Sequence, residues 1–252
     1  MVRMKNHKTR TLIITMTVLV FTGIVIAWLY YGRINRSVDP RIKGARELYE
    51  KYNEFTRLEK YDSILWLMDT IESVYSSFDH YRDSYEVAVL YNNRAALYLS
   101  VFMQPGNEIL IGDTAAFISK AESDVCRSVH MYREWYGKYD GLDEMAIREN
   151  IEENFLNGMD RYTPDEKEEF LDKRVREIIE AQSENRRRLS VSYTNLGIIK
   201  RHQQKYDSAA MYYLKAIDLW ERNLTAENNL NILLNRPLKK RGLLQKLFPP
   251  EK

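Results

Sequence analysis

From residue 42 to residue 236, apolar side chains return at steps of three and four, as in Leu48, Tyr52, Phe55 and Leu58. No apolar–polar alternation persists beyond a few residues. That period marks one face of an α-helix, whereas a half-buried strand repeats every second residue. The 252 residues include only 10 glycines and 6 prolines, too few turn formers for a sandwich or barrel of many short strands. The expected class is all-α. Breaks fall at Pro105-Gly106, between Gly137 and Gly141, and between Gly158 and Pro164. The last break carries a helix start: Thr163 can cap, Pro164 suits the first turn and Glu166 completes a capping box. Beyond it no proline or glycine intervenes until Gly197, which predicts one long helix from Pro164 to about Gln203. Its apolar stripe is Phe170, Leu171, Val175, Ile178 and Ile179, and the polar run 183–188 marks a kink or a solvated stretch.

Residues 12–31 form a different kind of segment, with no charge and interruptions only from threonines and Gly23. At about 1.5 Å per residue such a helix spans roughly 30 Å, the thickness of a bilayer hydrocarbon core. Trp28, Tyr30 and Tyr31 gather at its far end, where an interfacial belt would sit. Arg3, Lys5, Lys8 and Arg10 precede it and favour a cytoplasmic N-terminus, although Arg33, Arg36, Arg41 and Lys43 dilute the bias. The alternative is a cleaved signal peptide, with Val25 and Ala27 as small residues before a cleavage site. Against it, the apolar run is long and lacks a polar end. The expected organisation is a basic tail (1–10), a transmembrane anchor (11–32), a linker (33–41), a helical domain (42–236) and a basic C-terminal tail (237–252). The domain is placed outside the cytoplasm, in a bacterium the periplasm. Cys126, the single cysteine, excludes an internal disulfide framework and any zinc site built on paired cysteines.

A search for repeats adds detail. Lys60-Tyr61-Asp62-Ser63 recurs word for word as Lys205-Tyr206-Asp207-Ser208. Around the second copy stand Tyr193, Leu196-Gly197, Tyr206, Ala209, Tyr213 and Ala216, and this stretch resembles a tetratricopeptide repeat of about 34 residues. Lys200 and Glu221 depart from the pattern where an aromatic residue and a terminal proline are usual. In such a repeat Gly197 and Ala209 let two antiparallel helices approach while aromatics fill the gaps between pairs. Setting the two turns in register puts Leu48, Phe55, Ile64, Met68 and Ile71 at core positions of a degenerate copy. A third pair is suggested by Tyr91, Arg94-Ala95 and Tyr98, returning through Phe117, Ala121, Val125 and Tyr132. Residues 226–235 resemble the helix that caps such arrays. The implied architecture is an α-solenoid of stacked antiparallel helix pairs, with an unrelated helical bundle as the alternative.

Motifs for catalysis are absent: there is no glycine-rich phosphate loop, zinc-protease histidine pair or nucleophile elbow. His7, His80, His130 and His202 are scattered, and Cys126 is expected to be a buried small hydrophobe beside Val125 and Val129. No enzyme, cofactor or metal is expected, and a formal charge of +2 argues against a general nucleic-acid binder. The resemblance instead implies a protein or peptide partner held on the inner surface, which the first helix of each pair supplies. That surface would carry Asn92, Asn93 and Ala96, then Thr194, Asn195, Ile198 and Arg201. The asparagines can hold a peptide backbone and Arg201 can meet a carboxylate, although the full carboxylate clamp of chaperone-binding members is missing. The expected function is a membrane-tethered interaction module, an adaptor or assembly factor of the cell envelope. The alternatives are a sensor or regulatory domain that binds a ligand or partner, and an organelle-surface receptor with the helical domain in the cytosol.

Overall fold

Every regular element among the described residues of the computed structural model (16–17, 20–24, 37–103 and 114–240) is a helix. In chain order these are α1 (Lys43–Arg57), α2 (Tyr61–Ser76), the one-turn α3 (Asp79–Arg82), α4 (Tyr85–Met103), α5 (Thr114–Tyr139), α6 (Glu144–Leu156), α7 (Pro164–His202), α8 (Tyr206–Leu219) and α9 (Leu224–Leu233). The all-α class holds. Of the expected 11–32 span, only 16–17 and 20–24 are described, and both stretches are helical. The rest of it, together with the two tails' residues 1–10 and 241–252, lies outside the described residues. Among the described residues no helix is long and apolar enough to cross a membrane.

Helices close in sequence pack in pairs: α1 against α2, α4 against α5, and the second half of α7 against α8. Between pairs, α2 meets α4 and α5 meets α7, while α9 covers α8 and the end of α7. The first half of α7 has its own partner, α6, through Arg148, whose Nη1 lies 2.5 Å from Asp172. The capping box starts α7 as expected: Thr163 N donates to Glu166 at 2.9 Å, and Glu166 N donates back to Thr163 Oγ1 at 3.3 Å. No break interrupts α7 at 183–188.

The duplicated Lys-Tyr-Asp-Ser word folds the same way twice. Glu59 and Gln204, just before it, adopt left-handed φ values of 53° and 59°. Lys60 N then reaches back to Phe55 O (3.2 Å) and Lys205 N to Lys200 O (2.9 Å). These are six-to-one bonds that satisfy the last carbonyls of α1 and α7. The lysines that follow share one conformation, φ/ψ −84/69° and −91/70°. Left-handed backbone costs a non-glycine residue about 1–2 kcal/mol, and glycine's extra unfolded-state entropy offsets part of the relief. Glu59→Gly and Gln204→Gly are each expected to raise the urea midpoint, by about 0.5 kcal/mol of stability. Asn235, with φ 54° at the end of α9, gains less because asparagine tolerates that region.

The core runs continuously from Ile42 through Ile64, Met68, Tyr91, Val125 and Phe170 to Ile199. Two expectations are corrected. Leu58 is 53% exposed, because α1 ends at Arg57 and Leu58 turns outward at the cap. Cys126 is exposed rather than buried: Ala121, Val125, Val129 and Tyr132 form the buried stripe of α5, and Cys126 stands about 100° further round the helix than Val125. Just ahead of α1, Asp39 and Arg41 pack against α3 and the end of α6. Asp39 is buried, accepts from Arg41 Nη2 (2.8 Å) and from Tyr81 Oη (3.0 Å), and Arg41 also donates to Phe155 O (2.8 Å) at the end of α6. The guanidinium lies 4.9 Å over the Phe155 ring, so the chain is clamped where it enters the domain.

Candidate functional site

The residues expected on the inner surface are brought close to one another, and most of them are used to join helices. Asn92 Oδ1 accepts from both Asn195 Nδ2 and Ser192 Oγ, each at 3.0 Å, tying α4 to α7. Thr194 Oγ1 accepts from Asn223 Nδ2 (2.9 Å), and Asn223 Oδ1 caps α9 through Ala226 N (3.0 Å). Asn92, Thr194 and Asn195 are all buried. Asn93 Nδ2 donates to Tyr49 Oη (2.7 Å), joining α4 to α1, and Arg201 donates to Asn229 of α9 (3.0 Å). Ala96 and Ile198 are half-buried. The polar groups of Asn92, Thr194 and Asn195 therefore bridge α4, α7 and the start of α9.

A groove lies next to this seam, towards the N-terminal helices. It measures about 480 Å³ and runs between α1 and the middle of α7, over α2 and α4. Its floor is apolar: Ile71, Tyr75, Val89 and Ala181. One rim is the face of α1 with Arg46, Tyr49, Glu50 and Asn53, and the other is the face of α7 with Glu177, Glu180, Glu184 and Arg188. Both rims follow helical spacing, since steps of three and four bring side chains onto one face.

Charges on the rims are unevenly paired. Arg46 Nη2 reaches both oxygens of Glu177 at 2.7 Å, bridging α1 to α7. Glu50 and Glu180 are exposed, and no ion pair to either occurs among the described residues. Arg188, its side chain 38% exposed, lies 3.7 Å through Nε from Glu184 and acts on the Tyr85 hydroxyl. Burial raises the hydroxyls of Tyr49 and Tyr85 to about 12, with Tyr52 adding to the effect at Tyr49. Tyr85 Oη and Arg188 Nε are both buried without completing a hydrogen bond.

Beneath the floor sits a buried ionic cluster. Arg174, 4% exposed, donates through Nη1 to Glu86 (2.5 Å) and through Nε to His80 Nε2 (3.0 Å), and stacks 4.8 Å over Tyr81. Burial would raise the Glu86 carboxyl, but Arg174 overrides it and holds it low, at about 2. His80 is pushed down to about 2, first by burial and then by Arg174. The geometry agrees, because an Nε2 that accepts from an arginine cannot carry a proton. An unfolded histidine does bind one, so the unfolded state takes up more protons below about pH 6.5, and this part of the stability is complete above that pH and lost on acidification. Stability is expected to fall by about 2 kcal/mol from pH 7 to pH 5. Urea titrations at a series of pH values check this, and His80→Gln, whose amide oxygen can still accept, should flatten the slope. Some slope remains from His202, which is shifted in the same direction.

A second, smaller recess of about 350 Å³ between α5, α7 and α8 has the opposite balance, with Arg133 and Lys215 against Asp218. Among the described residues no three His, Cys, Asp or Glu side chains are placed to hold a metal ion. No family model, no curated protein and no solved structure matches the chain.

The groove was missed from sequence because its residues look like ordinary solvated helix faces. A signal was present: Arg46, Tyr49, Glu50 and Asn53 share one face at i, i+3, i+4 and i+7, mixing aromatic and ionic groups opposite the apolar stripe. Nothing in the sequence says that this face looks onto α7.

Proposed function

We propose that the chain is a membrane-tethered, tetratricopeptide-like interaction module that seats a peptide segment of a protein partner in the groove between α1 and α7. The observation that carries this reading is the groove itself, an apolar floor between the polar faces of α1 and α7. Two features favour the repeat assignment over a generic bundle: the twice-used turn geometry and the contact between Gly197 and Tyr213. In the last, a Cβ on Gly197 would fall 2.4 Å from the Tyr213 ring. The tether is the 11–32 segment, and within it Phe21 and Ile24 are 67% and 60% exposed, as suits side chains that face lipid. Tethering raises the effective concentration of a weak groove near partners in the same membrane. The domain is assigned to the extracytoplasmic side by the basic residues ahead of the tether.

A photo-crosslinking amino acid at Tyr49, on the groove rim, should capture a discrete partner in cells. The same probe at the exposed Trp66 of α2, outside the groove, serves as the control. Equal capture at both positions, or none at Tyr49, would overturn the groove as the docking surface. Protease accessibility in intact spheroplasts tests the side of the membrane, and protection of the helical domain would contradict the assignment.

A further inference from the structure

The chemistry of the rims specifies the kind of peptide. Resting on the reading of the groove as a peptide site, we infer that it selects a cationic segment, with Lys or Arg side chains set between the carboxylates of α1 and α7. Five carboxylates line the groove against two guanidiniums. Arg46 neutralises Glu177 across the groove, and Arg174 neutralises Glu86 from below. Glu184 is shared with Arg187 and Arg188. Lys173 adds a second cation beside Glu177, and Arg188 is the one under-paired cation of the lining. Glu50 and Glu180, one on each rim, make no ion pair among the described residues, so a ligand cation would meet a free carboxylate on either side. Tyr49 and Tyr85 line the same space, and their faces favour ammonium or guanidinium groups.

The remaining groups favour a peptide over a simple polyamine. Arg188, half-buried, and Asn53, exposed, offer N–H donors, for which a peptide backbone supplies carbonyl acceptors and a polyamine supplies none. The apolar floor of Ile71, Val89 and Ala181 accepts an aliphatic or aromatic side chain alternating with the basic ones, as in an extended strand. A carboxylate-bearing ligand would face Glu50 and Glu180, so an acidic partner is disfavoured.

The test uses the full-length chain in mild detergent and three acetylated, amidated nonapeptide pools. All have Leu or Tyr at alternate positions, with Lys/Arg, Gln or Glu at the others, and fluorescence polarisation reads the binding. The Lys/Arg pool should bind tightest and weaken as salt is raised. Glu50→Gln/Glu180→Gln should weaken it about five- to tenfold, while Glu144→Gln/Glu153→Gln on α6 leaves it unchanged. All four glutamates are exposed, and thermal melts confirm that the variants remain folded. If the Gln or Glu pool binds as tightly, or the groove double variant binds the Lys/Arg pool unchanged, the cationic assignment is wrong and the groove reading survives. If no pool binds, both fall.

Discussion

Arg174→Leu should lower the stability of the helical domain by about 3 kcal/mol. The side chain holds together elements far apart in sequence: Glu86 at the start of α4, His80 in α3 and the Tyr81 ring. Removing it leaves Glu86 without its main counterion and His80 Nε2 without a donor. Breaking one half of a buried pair costs about 3–5 kcal/mol, because the remaining charge stays desolvated. Glu86 keeps 26% of its side-chain surface, which places the effect at the lower end. Urea unfolding should show a lower midpoint with an unchanged slope. Arg174→Leu/Glu86→Leu should recover much of the loss, since a buried ion pair replaced whole by apolar residues is often close to neutral. A loss in the double variant as large as the sum of the two single losses would refute the charge argument and leave only a packing defect.

Gly197→Val is expected to cost about 2–3 kcal/mol. A Cβ at this position would lie 2.4 Å from Tyr213 Cε1 and 2.5 Å from Cδ1, in the body of the ring rather than at a flexible tip. Tyr213 is fully buried, so the ring has nowhere to swing and α7 and α8 must separate. Gly197→Ala should do less harm, because better helix propensity returns up to about 1 kcal/mol. A cycle with Tyr213→Ala tests the mechanism. The double variant should cost less than the sum of the singles by more than about 1 kcal/mol, and simple additivity would show that the contact does not govern the helix approach.

These two sites differ in how far they could be read in advance. Gly197 is followed by Ala209 and Tyr213 at the spacing of a close helix pair, all within one local hairpin, so periodicity and the short turn were enough to anticipate the approach. The capping box at Thr163, the length of α7 and the pairing of α4 with α5 are local in the same sense. Arg174 gave no such signal. It stands among Lys173 and Arg176 on a charged helix, and its burial depends on α3 and α4, some 90 residues earlier. Cys126 shows the converse error, where apolar neighbours suggested burial that a turn of about 100° removes.

Helical period, breakers and caps are short-range physics, and they settled which segments are helices, where the twin turns fall and which stripe of each helix is apolar. Which helix each polar face would meet was decided by packing. A stripe's period defines a face without naming its neighbour, and α7 is long enough to serve α6 and α1 with one half and α8 with the other. That division of α7 opened the groove, buried Arg174 beneath it and drew Asn92 and Asn195 into the seam between α4 and α7.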